Sequence, residues 1–114
     1  MVIVIFRTRL RAGADQAALG QLTQEMRTLV QTIPGFLSVK DFLASDGEGV
    51  SVAEFQTLAA AKAWREHPEH RRAQERGRQE FFSSYHVQVC EVGREYSFPA
   101  SEAGGIRGND PGAA

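Results

Sequence analysis

The chain of 114 residues is poor in the features that mark secreted, membrane-spanning and cofactor-binding proteins. It has one cysteine, Cys90, so it forms no internal disulfide, which fits a reducing cytoplasm. No apolar run reaches the roughly 20 residues that span a bilayer. The apolar N-terminus lacks the basic start and the small-residue cleavage site of a signal peptide. We therefore expect a cytoplasmic protein with no membrane partner.

An excess of charge of one sign is also lacking. The formal net charge is −1, with 13 Lys and Arg residues against 14 Asp and Glu residues. The arginines between Arg65 and Arg78 alternate with glutamates, which is typical of a solvated, ion-paired helix face, so we expect no nucleic-acid partner. The sequence has no phosphate-binding glycine loop, dinucleotide fingerprint, Cys-x-x-Cys pair or nucleophile elbow. No cofactor is predicted from a motif.

The apolar patterns in the first half of the chain predict a strand, a helix and a hairpin. Val, Ile and Phe dominate the strand at residues 2–11. Asp15 caps the helix, whose apolar residues recur at three- and four-residue spacing until Pro34 stops it. Residues 36–44 and 50–56 form two strands joined by a glycine-containing turn.

The second half of the chain predicts two short helices and a final strand. Thr57 caps the first of these helices. Pro68 begins the second, because proline is tolerated in the first turn of a helix but not in its interior. The last strand is predicted to run from Phe81 or Phe82 to about Phe98.

This order of elements is that of the split βαβ, ferredoxin-like fold of the α+β class. It predicts a four-stranded antiparallel sheet with the helices on one face. We assign this domain to residues 1–98. Residues 99–114, rich in Gly, Ala and Pro, form a C-terminal tail.

The other face of this sheet is predicted to be covered by a second copy of the chain. In the first strand Val4 and Phe6 lie on one side and Ile3 and Ile5 on the other, so both sides are apolar. A sheet with one wet face alternates apolar and polar residues. Since the chain has no spare element to cover the second face, we expect a homodimer that packs sheet to sheet.

Several short stretches together carry a family resemblance. They are Pro34-Gly35-Phe36, Ser51-Val52-Ala53-Glu54-Phe55, Ala63-Trp64-Arg65, Pro68-Glu69-His70, Ala73-Gln74, Gly77-Arg78, Val87-Gln88-Val89-Cys90-Glu91-Val92 and Arg94-Glu95-Tyr96. With the element order, they resemble the antibiotic biosynthesis monooxygenase family of the dimeric α/β-barrel superfamily. The resemblance implies a homodimeric barrel with a pocket between helices and sheet in each subunit. Some relatives oxidise phenols, quinols or anthrone-like polyketides with molecular oxygen alone, others bind and degrade haem, and others isomerise small metabolites.

Trp64 and His70 lie on either side of the corner predicted at Pro68 and are the first candidates for a functional site. Trp64 either forms a wall on which an aromatic substrate stacks or seals a helix to the sheet. His70 either binds or deprotonates a substrate hydroxyl, ligates a metal or haem iron, or is satisfied by a neighbour. His67 is three residues from His70, but Pro68 interrupts the helix that would bring both to one face. No metal site is predicted.

The resemblance and the residue types together predict a cofactor-independent monooxygenase that acts on an electron-rich aromatic such as a quinol, a phenol or a polyketide. The catalytic candidates are Trp64, His70 and Arg7, and the substrate-binding candidates are Phe36, Phe55, Arg65, His67 and Phe82. Arg7 or Arg65 would stabilise a phenolate. The other interpretation of Arg7 is cross-strand pairing with Glu91 or Glu95 on the last strand.

The alternative function is a dimer that binds haem or another small hydrophobic ligand without turnover. The same aromatic residues would serve it. Haem-degrading relatives carry a catalytic asparagine on the first strand, near the position of Thr8, and their histidine lies farther from the tryptophan than His70 does from Trp64. Both departures disfavour haem degradation.

Overall fold

A computed structural model describes residues 1–99, and these residues form the predicted ferredoxin-like fold. Its elements are β1 (Val2–Leu10), α1 (Gln16–Val30), β2 (Phe36–Leu43), β3 (Gly49–Phe55), α2 (Leu58–Glu66), α3 (Pro68–Arg76), a π-helical turn (Gly77–Phe81) and β4 (Phe82–Glu91). The four strands form one antiparallel sheet in the order β2-β3-β1-β4. The predicted tail, apart from Pro99, lies outside the described residues.

The predicted helix starts are confirmed. The side chain of Asp15 accepts a hydrogen bond from the Ala18 amide at 3.0 Å at the start of α1. The side chain of Thr57 does the same for the Ala60 amide at 3.1 Å at the start of α2. Pro68 occupies the first turn of α3, where backbone N–H groups have no partner within the helix, so a residue without an N–H costs no hydrogen bond. These short-range signals fix where the helices begin.

The last strand is shorter than predicted. β4 ends at Glu91, which lies opposite Val2, the first residue of β1. The Val92 amide donates to the Met1 carbonyl at 3.0 Å, and β1 supplies no further partner beyond it. The predicted end near Phe98 was wrong, because a strand pairs only as far as its neighbour extends.

The register of β2 also departs from simple alternation. It shifts between Phe36 and Ser38, so Leu37 forms a bulge. Phe36 therefore faces the helices and contacts Phe55 edge to face, with ring centroids 5.7 Å apart. Phe42 lies on the opposite face of the sheet. Phe36 and Phe42 thus lie on opposite faces although their spacing is even, because the bulge reverses the alternation.

The core occupies one end of the space between helices and sheet, and this position leaves a cleft beside it. Its fully buried members are Val2, Val30, Phe55, Ala60 and Ala61. The apolar side of α1 contributes only Val30 to it, whereas Leu19, Leu22 and Met26 of the same helix are half-buried. The apolar side of α1 therefore forms a wall of the cleft along most of its length instead of packing tightly on the sheet.

Candidate active site

The cleft between the sheet and the helices has a volume of about 640 Å³. This volume lies within the range of about 300–1,000 Å³ that is usual for small-molecule sites. Most of its lining is apolar, and representative residues are Val4, Phe6, Leu19, Leu22, Met26 and Phe82. Leu43, at its border, is 79% exposed. The cleft can take a flat hydrophobic molecule from solvent.

Trp64 and His70 meet in this cleft. Trp64 lies in the last turns of α2 and His70 in the first turn of α3, and the corner at Pro68 folds one ring against the other. The rings are stacked, with centroids 4.0 Å apart and planes inclined by 13°. The Nδ1 atom of His70 lies 3.0 Å from the Trp64 carbonyl oxygen. Because a carbonyl oxygen only accepts, Nδ1 carries the proton and donates.

This hydrogen bond leaves Nε2 of His70 as the unprotonated nitrogen of the neutral ring. Nε2 makes no hydrogen bond with any described residue, and none of the buried side-chain nitrogens or oxygens in residues 1–99 lacks a partner. Nε2 is therefore accessible from the cleft or from solvent. Burial lowers the pKa of His70 below its ordinary value of 6.5, although the bond to Trp64 opposes that shift. The imidazole is thus neutral near pH 7 and can accept a proton.

The lowered pKa of His70 predicts that stability falls on acidification. Below the ordinary pKa of 6.5 the unfolded chain takes up a proton that the folded chain resists, so the contribution of His70 is present above that pH and is lost below it. Urea unfolding from about pH 7.5 to about pH 5 should show a falling free energy of unfolding. His70→Phe should fall less steeply over this interval. Equal slopes for the two proteins would contradict the burial of a neutral His70.

Three of the predicted substrate-binding residues line the cleft: Phe82, Arg65 and, from the core, Phe55. Phe82 follows the π-helical turn and lies across Gly77. A Cβ atom at Gly77 would lie 2.8 Å from the Phe82 ring, so glycine permits this approach. The π-helical turn, a feature that is frequent at functional sites, was not predicted from the sequence.

His67 and Phe36 are placed elsewhere. The Nδ1 atom of His67 accepts a hydrogen bond from the Glu69 amide at 3.1 Å and caps α3. Its ring centroid is 6.2 Å from that of Trp64, but His67 does not line the cleft. Phe36 packs against the core at Phe55 and does not line the cleft either.

Arg7 lies on the opposite face of the sheet from the cleft. Its Nε and Nη2 atoms each lie 3.0 Å from a carboxylate oxygen of Glu48, in the turn between β2 and β3. The hydrogen bond from Arg7 holds the pKa of Glu48 below its ordinary value. The predicted pairing with Glu91 or Glu95 was wrong, because the register of β4 places His86 opposite Arg7.

Three cleft residues were missed in the sequence. Arg27 of α1 forms an ion pair with Asp41 of β2, and the hydroxyl of Ser51 on β3 donates to Asp41 at 2.8 Å. They come from three elements and share no motif. The one sequence signal is Asp41 itself, a charge within an otherwise apolar set of β2 residues on the helix-facing side.

Within residues 1–99, no three His, Cys, Asp or Glu side chains are grouped so that they could hold a metal ion. No helix in that part of the chain is both long enough and apolar enough to cross a membrane.

Comparisons with known proteins agree with this architecture. The profile of the antibiotic biosynthesis monooxygenase family matches residues 1–76. The uncharacterized protein YqjZ of Bacillus subtilis (strain 168) is 37% identical over 84 residues, which are 74% of each chain. The structure of Rv0793 from Mycobacterium tuberculosis superposes with a TM-score of 0.73 at 25% identity and covers 84% of this chain and 98% of that one.

SnoaB, a cofactor-independent oxygenase from Streptomyces nogalater, has the same fold. It superposes with a TM-score of 0.70 over 86% of this chain and 96% of its own. At 13% identity this likeness extends to the fold alone. The four strands and the helices on one face are therefore an architecture that this chain shares with other proteins of known structure.

Proposed function

The chain belongs to the antibiotic biosynthesis monooxygenase family, and from that premise we propose that it oxidises an electron-rich aromatic with molecular oxygen and without a cofactor. The substrate is a phenol, a quinol or a polyketide-like molecule. The observation that carries this proposal is a neutral histidine with an accessible Nε2, stacked on Trp64 in an apolar cleft. SnoaB shows that the fold can support oxygenation without a cofactor, although it is a remote relative.

The proposed chemistry begins with a proton transfer. Nε2 of His70 accepts the hydroxyl proton of a phenol, and the phenolate gives one electron to oxygen. The substrate radical and superoxide combine at a ring carbon that carries a hydrogen, and the adduct takes up the proton as a hydroperoxide. Loss of that ring hydrogen with cleavage of the O–O bond gives a quinone carbonyl and one water. One oxygen atom enters the product, the other leaves as water, and the two hydrogens of the water come from the substrate.

The surroundings of His70 support this sequence of steps. An apolar cleft excludes water from the radical pair, and its low polarity strengthens any charge interaction with the phenolate. Arg65 is the predicted cation that lines the cleft, whereas Arg7 lies on the other face of the sheet and takes no part. One face of the Trp64 indole is covered by His70, and the lone pair of Nε2 lies in the imidazole plane, so the substrate hydroxyl approaches His70 at the edge of its ring.

An oxygen-consumption panel tests the proposal. Purified protein treated with a chelator is mixed with naphthols, hydroquinones and anthrones, and oxygen uptake is followed with an electrode. We expect uptake above the protein-free autoxidation rate for at least one of these classes, with one oxygen consumed for each quinone formed. Uptake that never exceeds the protein-free rate would contradict the proposal.

Ligand binding without turnover is the second candidate function. The accessible Nε2 of His70 is the atom that would meet a haem iron, and the cleft volume suits a flat hydrophobic ligand. A one-to-one Soret shift that is lost in His70→Ala, together with no oxygen uptake in the panel, would favour this function.

We also propose that the protein acts as a homodimer through the open face of the sheet. Ile3 and Ile5 of β1 lie on this face, and the register pairs Ile5 with Val52 of β3. These side chains are only half-buried in one copy of the chain, and a second copy would bury them further.

Ile5→Lys should therefore weaken the dimer. A lysine at the centre of this apolar surface would be buried without a partner, so we expect at least about a tenfold rise in the dimer dissociation constant. Sedimentation equilibrium measures it. Gln21→Lys, the same gain of charge on the exposed side of α1, is the control. A wild-type monomer, or a dimer equally stable in Ile5→Lys, would refute the proposed interface.

A further inference from the structure

We propose that the cleft recognises a carboxylate, and that Arg27 is the residue that binds it. The inference rests on the proposed function for the reacting end of the site and adds the substrate class: a hydroxylated aromatic carboxylic acid. Its hydroxyl would lie at His70 on α3 and its carboxylate at Arg27 on α1. The two groups belong to different walls of one cleft.

The charges in the cleft favour an anionic ligand. Arg27, Lys62 and Arg65 are cations, and Asp41 is the one carboxylate among the described side chains of the lining. This gives an excess of two positive charges in a chain whose net charge is −1. The rest of the lining is mostly apolar, so a carboxylate there would be drawn to these cations with little screening by water.

Arg27 is the cation with the most defined position. Its Nη2 atom is held by one carboxylate oxygen of Asp41, and the other oxygen of Asp41 accepts from the Ser51 hydroxyl at 2.8 Å. The Arg27 side chain is 31% exposed, whereas that of Arg65 is 63% exposed. Asp41 and Ser51 thus act as positioning residues, which reduces the conformational freedom that Arg27 would lose on binding a ligand.

The donors that remain on Arg27 suit a carboxylate. Nε–H and the Nη1 protons contact no hydrogen-bond acceptor within residues 1–99. Asp41 uses only one of the two Nη2 protons, so the other Nη2 proton lies side by side with a proton of Nε or Nη1 and forms with it a second pair of donors for a ligand. Paired, charge-assisted hydrogen bonds of this kind discriminate strongly between a carboxylate and its neutral amide.

The test compares a matched pair of ligands, 2-naphthoate and 2-naphthamide, by isothermal titration calorimetry. They share a ring system and differ in one charged group. We expect wild-type protein to bind the naphthoate about tenfold more tightly than the amide. Arg27→Gln should lose this preference while its affinity for the amide stays unchanged, which also shows that the cleft is intact. Ser51→Ala should reduce the preference by a smaller factor.

Arg72→Gln is the control variant, because Arg72 is an exposed arginine of α3 that pairs with Glu69 away from the cleft. It should keep the full preference for naphthoate. Equal affinities of wild-type protein for both ligands, a parallel loss of both in Arg27→Gln, or no saturable binding of either ligand would overturn the inference.

The ligand titrations and the oxygen panel test the carboxylate site and the oxidation separately. A preference for naphthoate that depends on Arg27, without oxygen uptake, would retain this site and refute only the oxidation. Oxygen uptake that is unaffected by Arg27→Gln, with no preference for the acid, would refute only the carboxylate site.

Discussion

Replacing His70 with phenylalanine is expected to lower turnover by about 10²- to 10⁴-fold, which is the usual contribution of a positioned general base. The phenyl ring can keep the stacked contact with Trp64, whose ring lies 4.0 Å from that of His70. It has no nitrogen to accept the hydroxyl proton. The rate of quinone formation at saturating substrate measures the loss, and circular dichroism checks the fold.

Two companion variants separate proton transfer from packing. His70→Gln retains a donor for the Trp64 carbonyl but has no basic nitrogen. It should therefore be as slow as His70→Phe. His70→Ala leaves room for a small base, so added imidazole should restore part of its rate. Turnover within a few fold of wild type in both His70→Phe and His70→Gln would exclude His70 as the base.

Phe55→Ala is expected to lower the free energy of unfolding by about 3–5 kcal/mol. Phe55 is fully buried at the end of β3, opposite Val2 on β1 and Phe36 on β2. Its removal leaves a cavity at the point where the core joins the wall of the cleft. Small domains are stable by only about 5–15 kcal/mol, so this variant would approach the limit of folding.

Urea titration monitored by circular dichroism measures this loss. Phe98→Ala is a matched control, because it deletes the same atoms from a side chain that is 97% exposed. It should change the free energy of unfolding by less than about 0.5 kcal/mol. A similar loss in both variants, or a loss below about 1 kcal/mol in Phe55→Ala, would contradict the placement of the core.

The parts of the fold that short-range chemistry determines could be predicted from the sequence. Asp15, Thr57 and Pro68 mark helix starts through bonds or restrictions that span only a few residues. Register depends on partners far along the chain. The bulge at Leu37 and the end of β4 at Glu91 therefore followed from strand pairing and not from alternation.

The candidate site likewise contains residues that local sequence brings together and residues that only the complete fold brings together. Trp64 and His70 are six residues apart, so the corner at Pro68 was enough to bring them to one place. The predicted cation of the cleft was Arg7 or Arg65. Arg65 lines the cleft, but strand pleating directs Arg7 to the other face. Arg27 of α1 meets Asp41, which also accepts from the Ser51 hydroxyl, only when α1 lies over the sheet. No local pattern in the sequence predicts that contact.

Isotope labelling with ¹⁸O₂ shows whether the protein inserts an atom of molecular oxygen into its aromatic substrate. Chelator-treated, flavin-free protein is incubated with a naphthol or anthrone that is active in the oxygen panel, and the product is analysed by mass spectrometry. The proposed reaction predicts one ¹⁸O atom in each quinone and one in the water formed. In His70→Phe, the quinone should be labelled no faster than in the protein-free control. Labelling no faster than the protein-free control, with the aromatic still bound, would contradict it and leave ligand binding without turnover.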